Sequence, residues 1–553
     1  TMIINTKCTI SSPITANEII KTILVSRGLS TVEEQAEFLS PREITLDYLY
    51  AESGITKESL SAAQTLIDKH LESGSDICIF GDYDADGVSA TAVLYLGLSE
   101  YIKKSGSTAR LLPFIPDRHK HGYGLSSKAV AEVLDGTAFI DASYEGFHPK
   151  LIITVDTGIV AHDGIDTFVK GGIEVIITDH HLPDSTLPKA NSIVHSTITS
   201  GAGVSWILVC HLLTSTSKLL DLATIGIIAD MMSLVGFNRT LVVSGLKALS
   251  ASSSPGFRAL KARMGIPERP LTSYDISYGI APRINAAGRI YSPLHALRLL
   301  CTNDSSMATS LAEEIESHNI DRQELTESAL THALEQPFNN KITALVGPYH
   351  EGVIGLVAGK LVEAAYRPAI VMSDNGDVIK GSARSIPGFN ITGFLRSLKT
   401  PFLGLGGHDQ AAGFSIERVN LQSLLDEVSA VGDMTISDEL LIRHENADME
   451  LPLNSATLEL AKKLAKLEPY GLGNSKPRFL FKNVKVVEDR ALGELGKHHK
   501  LTIEQDGIRL SLLMFNTKHA HPINHVTQCI ATIDVNVWNN KESVQLVSTY
   551  VET

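Results

Sequence analysis

Three short apolar runs, each passing directly into acidic residues, constrain this chain more than any other feature. The run at 77–80 leads into Gly81-Asp82-Tyr83-Asp84-Ala85-Asp86-Gly87, the run at 151–155 into Asp156-Thr157-Gly158, and the run at 175–178 into Asp179-His180-His181. They are β-rich and separated by helical stretches, the pattern of a parallel sheet with crossover helices in an α/β fold. Ligands of a doubly wound sheet bind beyond the carboxyl ends of its strands, so the three segments are expected to share one crevice. Crowding carboxylates there costs several kcal/mol unless cations neutralise them. Hard oxygen donors with one or two imidazoles suit Mn²⁺ or Mg²⁺ rather than copper, and the lack of thiolates argues against structural zinc. Alone, each cluster has a plainer reading: a calcium loop or hydrated turn, a βα turn, a surface histidine pair. Their repetition after three strands makes a site. A fourth acid stays open, because Asp221 and Asp230 bracket the apolar segment 222–229 and either can be a helix cap or a helix-end carboxylate.

The chain has 553 residues, enough for several domains with their own cores. Its 43% hydrophobic and 20% charged content excludes a disordered protein, and 42 Gly and 21 Pro without a repeat exclude a fibrous one. With 48 Lys+Arg against 62 Asp+Glu, the net charge of −14 excludes a polybasic nucleic-acid coat, though not an enzyme with a local basic groove. Five cysteines without CxxC spacing point to a reducing compartment. With no signal-peptide pattern and no uninterrupted apolar span of about 18 residues, a cytoplasmic protein is expected.

Along the chain, residues 1–48 read as a small helical cap, with Thr31 and Glu34 spaced as a capping box. The α/β texture occupies 49–300, and a polar helix at 301–338 connects it to a second, smaller α/β unit at 339–432. In the remainder, 433–553, the segment 531–538 alternates, with Ala531, Ile533, Val535 and Val537 on one face. Asp506-Gly507 and Asn539-Asn540 are turn signals between strands, so a small β-barrel or sandwich is expected.

The order DYDADG, VDTG, TDHH and DLATIGIIAD resembles the DHH phosphoesterase superfamily, and within it the RecJ family of single-strand-specific 5′→3′ exonucleases. Further segments carry the resemblance: Gly122-Tyr123-Gly124-Leu125-Ser126, Pro282-Arg283-Ile284-Asn285-Ala286-Ala287-Gly288-Arg289, Gly381-Ser382-Ala383-Arg384-Ser385 and Gly406-Gly407-His408. It implies a DHH domain, a connecting helix, a DHHA1 domain and a C-terminal OB-fold. It also implies that Asp84, Asp86, Asp156, His180 and Asp221 ligate two Mn²⁺ or Mg²⁺ ions with Asp82 close by, and it prefers Asp221 to Asp230. Asp179 and His181 then orient ligands or handle protons. Val194-His195-Ser196 stands where the family usually has Asn-Pro.

The resemblance further assigns single-stranded DNA to Arg118, Tyr123, Arg283, Asn285, Arg289, Ser382, Arg384, Gly406, Gly407 and His408. Arginines pair with phosphates, Tyr123 can stack on a base, and glycine backbone lets phosphate approach closely. It implies cooperation with a single-strand-binding protein and a helicase, monomeric action and no membrane. Two other readings use the same residues. One is a DHH-type phosphodiesterase of short oligoribonucleotides or cyclic dinucleotides; the other is a non-catalytic replication scaffold, against which the intact acids argue.

Overall fold

A computed structural model describes residues 2–7, 14–122, 124–139, 146–267, 269–336, 340–374, 376–493, 498–515 and 523–552. The chain divides into two compact units, residues 10–318 with 451–553 and residues 1–9 with 319–450. No described helix is long and apolar enough to cross a membrane. The four described cysteines are free.

The larger unit is built on a five-stranded, all-parallel sheet in the spatial order Leu111–Phe114, Ile77–Gly81, Leu151–Val155, Glu174–Asp179, Ser192–His195. This is the order 2-1-3-4-5, whose switch point lies between Ile77–Gly81 and Leu151–Val155. The three central runs are apolar but for the buried Thr154 and Thr178, because both faces of the sheet are covered. Ile77, Ile79, Leu151, Ile153 and Ile176 enter one core, while Cys78, Phe80, Ile152, Val175 and Ile177 enter the other. The first core is closed by helices including Ala85–Ser105, Gly201–Leu213 and Leu220–Ala229. The last two are buried on nearly every side and mostly apolar, as helices inside a core are.

The same unit holds a five-stranded barrel of Phe479–Leu492, His498–Gln505, Ile508–Met514, Lys541–Glu552 and His525–Trp538, closed by pairing of the first strand with the last. All neighbours are antiparallel except Ile508–Met514 with Lys541–Glu552. Asp506-Gly507 and Asn539-Asn540 have left-handed backbones, as two-residue hairpin turns require. The alternation expected over 531–538 fades: Ala531 and Ile533 are buried but Val537 is 60% exposed, because this hairpin runs out beyond the core.

The smaller unit carries a mixed sheet in the order Gly404–His408, Ala411–Glu417, Val378–Arg384, Ala369–Ser373, Thr343–Gly347, parallel only between the last two. The helix Ser305–Leu334 contributes its part up to His318 to the larger unit and the remainder to the smaller one. The Thr31–Glu34 capping box forms as expected. Two expected boundaries move. Met2–Thr6, expected within a helical cap, is a strand paired in parallel with Arg443–Ala447. Both strands belong to the smaller unit, so 433–450 lies outside the unit that holds the barrel. A five-residue strand whose partner lies 441 residues further along the chain leaves no local signal.

Candidate metal centre

The crevice forms where the three strands end. Asp84 caps the helix Ala85–Ser105, its Oδ1 accepting from the N–H groups of Asp86 at 2.9 Å and Gly87 at 3.0 Å. Asp86 accepts from Ser200 Oγ at 2.7 Å, Gly201 N at 2.7 Å and Ala202 N at 3.0 Å, so it sits against the start of Gly201–Leu213, an anion-favouring helix end. A Cβ on Gly201 would lie 2.5 Å from Asp156 Cβ, and one on Gly226 would lie 2.2 Å from Asp86 Oδ1, so both helices reach the acids only because side chains are missing. Asp156 adopts φ 58°, a left-handed backbone that costs a non-glycine residue about 1–3 kcal/mol. His180 Nε2 lies 3.1 Å from Asp156, 3.6 Å from Asp230 and 3.9 Å from Asp86. Donor atoms of Asp86, His180 and Asp230 fall within 4.8 Å of one another, as do those of Asp82, Asp84 and Asp156.

Electrostatics shows what this packing lacks. Burial, reinforced by Asp84, pushes the Asp82 carboxyl up to about 7, and burial with Asp86 and Asp84 pushes Asp230 up to about 8. Burial and the neighbouring acids likewise raise Asp84 and hold Asp156 well above the usual range. Asp82 Oδ1 and Asp156 Oδ1 are buried without a hydrogen-bond partner. Unsatisfied carboxylate oxygens beside an imidazole fit hard divalent cations, and Mn²⁺ and Mg²⁺ match this donor set. Asp179 differs. Burial raises it, but His181 Nδ1 at 2.8 Å and the backbone N–H groups of Ile159, His180 and His181 outweigh that and leave it below its ordinary value. The hydrogen bond to Asp179 in turn lifts His181 to about 9. His195 Nε2 lies 2.7 Å from the His181 carbonyl oxygen and so holds this loop from the next strand.

The residues expected to bind DNA divide. Arg118 lies over the Tyr83 ring at 5.7 Å, beside the acidic loop. Burial raises the Tyr83 phenol, and the charges of Arg118 and Arg289 oppose that rise. In the smaller unit, strand register puts Arg384, Ala411 and His408 in one row and Ser382, Gly413 and Gly406 in the next, on one face. Gly406 and Gly413 meet nothing on that face, whereas Gly407, φ 142°, packs towards the other. Tyr123 lies outside the described residues.

Known proteins carry the same parts in the same order. Residues 76–232 match the DHH family, N-terminal domain, residues 339–431 the DHHA1 domain, and residues 447–549 the RecJ OB domain. The single-stranded-DNA-specific exonuclease RecJ of Dickeya dadantii is 30% identical over 96% of this chain and 95% of its own length. The chain belongs to the RecJ family. RecJ of Bacillus subtilis is 32% identical over 96% of this chain, which spans 67% of that protein. The crystal structure of RecJ from Thermus thermophilus in complex with Mn²⁺ superposes with a TM-score of 0.81 at 29% identity, over 100% of this chain and 80% of that one. The Mg²⁺ complex gives 0.75 at 27%, over 100% and 78%.

Three of the residues singled out from the RecJ resemblance are placed differently by the structure. Asp221 is not in the crevice: it stands in the first turn of Leu220–Ala229, its carboxylate accepting from Leu222 N and Ser252 Oγ, whereas Asp230 ends that helix 3.6 Å from His180. At 1.5 Å per residue the two acids are separated by about 14 Å along the axis. Arg283 does not reach outward, because Glu316 holds it through two bonds of 2.5 and 3.0 Å and its Nη1 donates to the Gly279 carbonyl. Asn285 positions the acidic loop, its Oδ1 accepting from Ala85 N at 2.8 Å. Two aromatic residues went unnoticed in the sequence. Tyr274 and Tyr278 stack at 4.6 Å, are 67% and 70% exposed, and line a cleft of about 780 Å³ with Ile228, Met231 and Lys476, beside Asp230. Their i, i+4 spacing was the available signal.

Proposed function

We propose that the chain is a metal-dependent exonuclease that releases mononucleotides from the 5′ end of single-stranded DNA, in recombination and repair. The observation that carries this reading is the gathering of Asp82, Asp84, Asp86, Asp156, His180 and Asp230, with orphaned oxygens, in a chain of the RecJ family. Asp86, His180 and Asp230 would hold one Mn²⁺ or Mg²⁺, and Asp82, Asp84 and Asp156 a second. Bound there, such ions would polarise a phosphoryl oxygen and lower the pKa of a water near it. Asp179 fixes the His181 ring through Nδ1 and leaves the other ring nitrogen to handle a proton. Arg118 and Arg289 bring positive charge to the rim. The row of Arg384, His408 and Ser382, over a floor without side chains, suits a sugar-phosphate backbone, and Tyr274 with Tyr278 offers a stacking surface for bases. In this reading a helicase and a single-strand-binding protein deliver the strand to a cytoplasmic monomer.

The test is digestion of 5′- and 3′-labelled single strands, blunt duplex, short RNA and cyclic dinucleotide with Mn²⁺ or Mg²⁺, beside an Asp156→Ala control. Loss of single-stranded DNA from the 5′ end that disappears in the variant is expected. Hydrolysis confined to dinucleotides, or no metal-dependent activity, would overturn the proposal.

A further inference from the structure

We propose that His295, Glu314 and His318 form a second metal site, sharing no residue with the acidic crevice, that takes a d-block divalent cation such as Zn²⁺. His295 stands on the helix Pro293–Cys301, while Glu314 and His318 stand one turn apart on Ser305–Leu334 and so share a face. His295 Nδ1 lies 3.0 Å from Glu314 Oε1, yet this buried nitrogen makes no hydrogen bond. An imidazole nitrogen and a carboxylate oxygen thus converge without the N–H geometry of an ordinary ion pair. His318 Nε2 lies 3.9 Å from the same oxygen, and one donor atom from each of the three residues falls within 4.8 Å of the others.

The ring that completes the set is held in place. His318 is 6% exposed, stacked on Tyr291 at 3.6 Å and 15°, with the His295 ring 5.9 Å away on a nearly parallel plane. Donors bound to tetrahedral zinc at about 2.0–2.1 Å lie about 3.3 Å from one another, a spacing bracketed by the 3.0 and 3.9 Å edges seen here. Two imidazoles and one carboxylate select zinc, nickel or cobalt over magnesium, which prefers oxygen alone. Three protein ligands leave a fourth position for water. The neighbouring turns of the same helix are tied by ion pairs, Glu313 to Arg263 and Glu316 to Arg283. A bound ion would add a tie between those two and hold this part of the helix against the one that follows Arg283 and Asn285.

The test compares the full chain with His295→Ala and Glu314→Gln, both at partly exposed positions, after dialysis from Zn²⁺ in excess Mn²⁺. The wild type is expected to retain one more Zn²⁺ per chain than either variant, or to bind that equivalent at least about tenfold more tightly, the least that loss of even an outer-shell partner costs. Co²⁺ supplies a second readout: a visible absorption band that survives Asp156→Ala and vanishes in both site variants. Equal zinc content and identical Co²⁺ spectra in the wild type and the two variants would overturn the proposal, whatever the nuclease assay shows.

Discussion

The two sheets of this protein place their special residues in opposite ways. In the parallel sheet they lie at the strand ends, where loops and helix ends pack carboxylates so tightly that Asp82 and Asp230 are pushed up to about 7 and 8. In the mixed sheet they lie on a face, where Gly406 and Gly413 leave open space beside Arg384 and His408. One site is made by burying charge and the other by removing side chains. A buried acid cluster is electrostatically incomplete without cations, whereas a bare sheet face is complete and merely accessible. The first should therefore respond to metal and pH, and the second to bulk and positive charge.

The largest effect expected from this contrast is at Asp156. Asp156→Ala should lower exonuclease activity by at least about 10³-fold, because the proposed metal centre loses a carboxylate that lies among its other donors. Its thermal stability without metal should stay level or rise, since a buried carboxylate oxygen without a hydrogen-bond partner is also removed. A fall in both would mean that the acid supports the fold rather than the chemistry.

At the ends of the helix Leu220–Ala229 the contrast becomes internal. Asp230→Asn should weaken Mn²⁺ binding by about 10²-fold, while Asp221→Asn should change it less than about twofold; calorimetric titration of the two variants decides.

Metal itself comes next. Mn²⁺ at about 100 times its dissociation constant should stabilise the protein by about 2.7 kcal/mol in thermal unfolding. Without metal, Asp82 and Asp230 bind protons in the folded chain up to about pH 7–8, whereas unfolded carboxyls release theirs near pH 4. The folded state therefore binds more protons across that window, and stability should fall as pH rises through it. Added Mn²⁺ should flatten the slope, and a slope unchanged by Mn²⁺ would separate these acids from the metal.

The smallest effects belong to the open face. Arg384→Ala and Gly413→Val should each weaken single-stranded DNA binding by about tenfold, worth about 1.4 kcal/mol, with Mn²⁺ affinity unchanged. Gly413 has room for a side chain, so a change in affinity reports on the face and not on folding. Unaltered DNA affinity in both variants would remove this face from the binding surface.

The strand-to-acid junctions were legible because a strand covered on both faces is almost continuously apolar, so the first acids after it mark its carboxyl end. The choice between Asp221 and Asp230 was not. The helix between them is buried on every side, and its sequence carries no periodicity to tell which end faces the crevice. Arg283 and Asn285 stood out within their motif, but their partners, Glu316 and the Ala85 amide, are distant or unremarkable in sequence. The barrel turns were legible in Asp506-Gly507 and Asn539-Asn540, where left-handed backbone favours those residues.

By itself, the sequence determined the α/β class, the crevice at the strand ends, the chemistry of its donors and the β-rich C-terminal region, because short-range pattern and residue type set these locally. Tertiary structure alone decided which acid completes the crevice, which arginine is tied to a glutamate, and that His295 meets Glu314 and His318. Those outcomes depend on where helices from separate stretches of chain come to rest against one another, and packing between remote segments leaves no mark in local pattern.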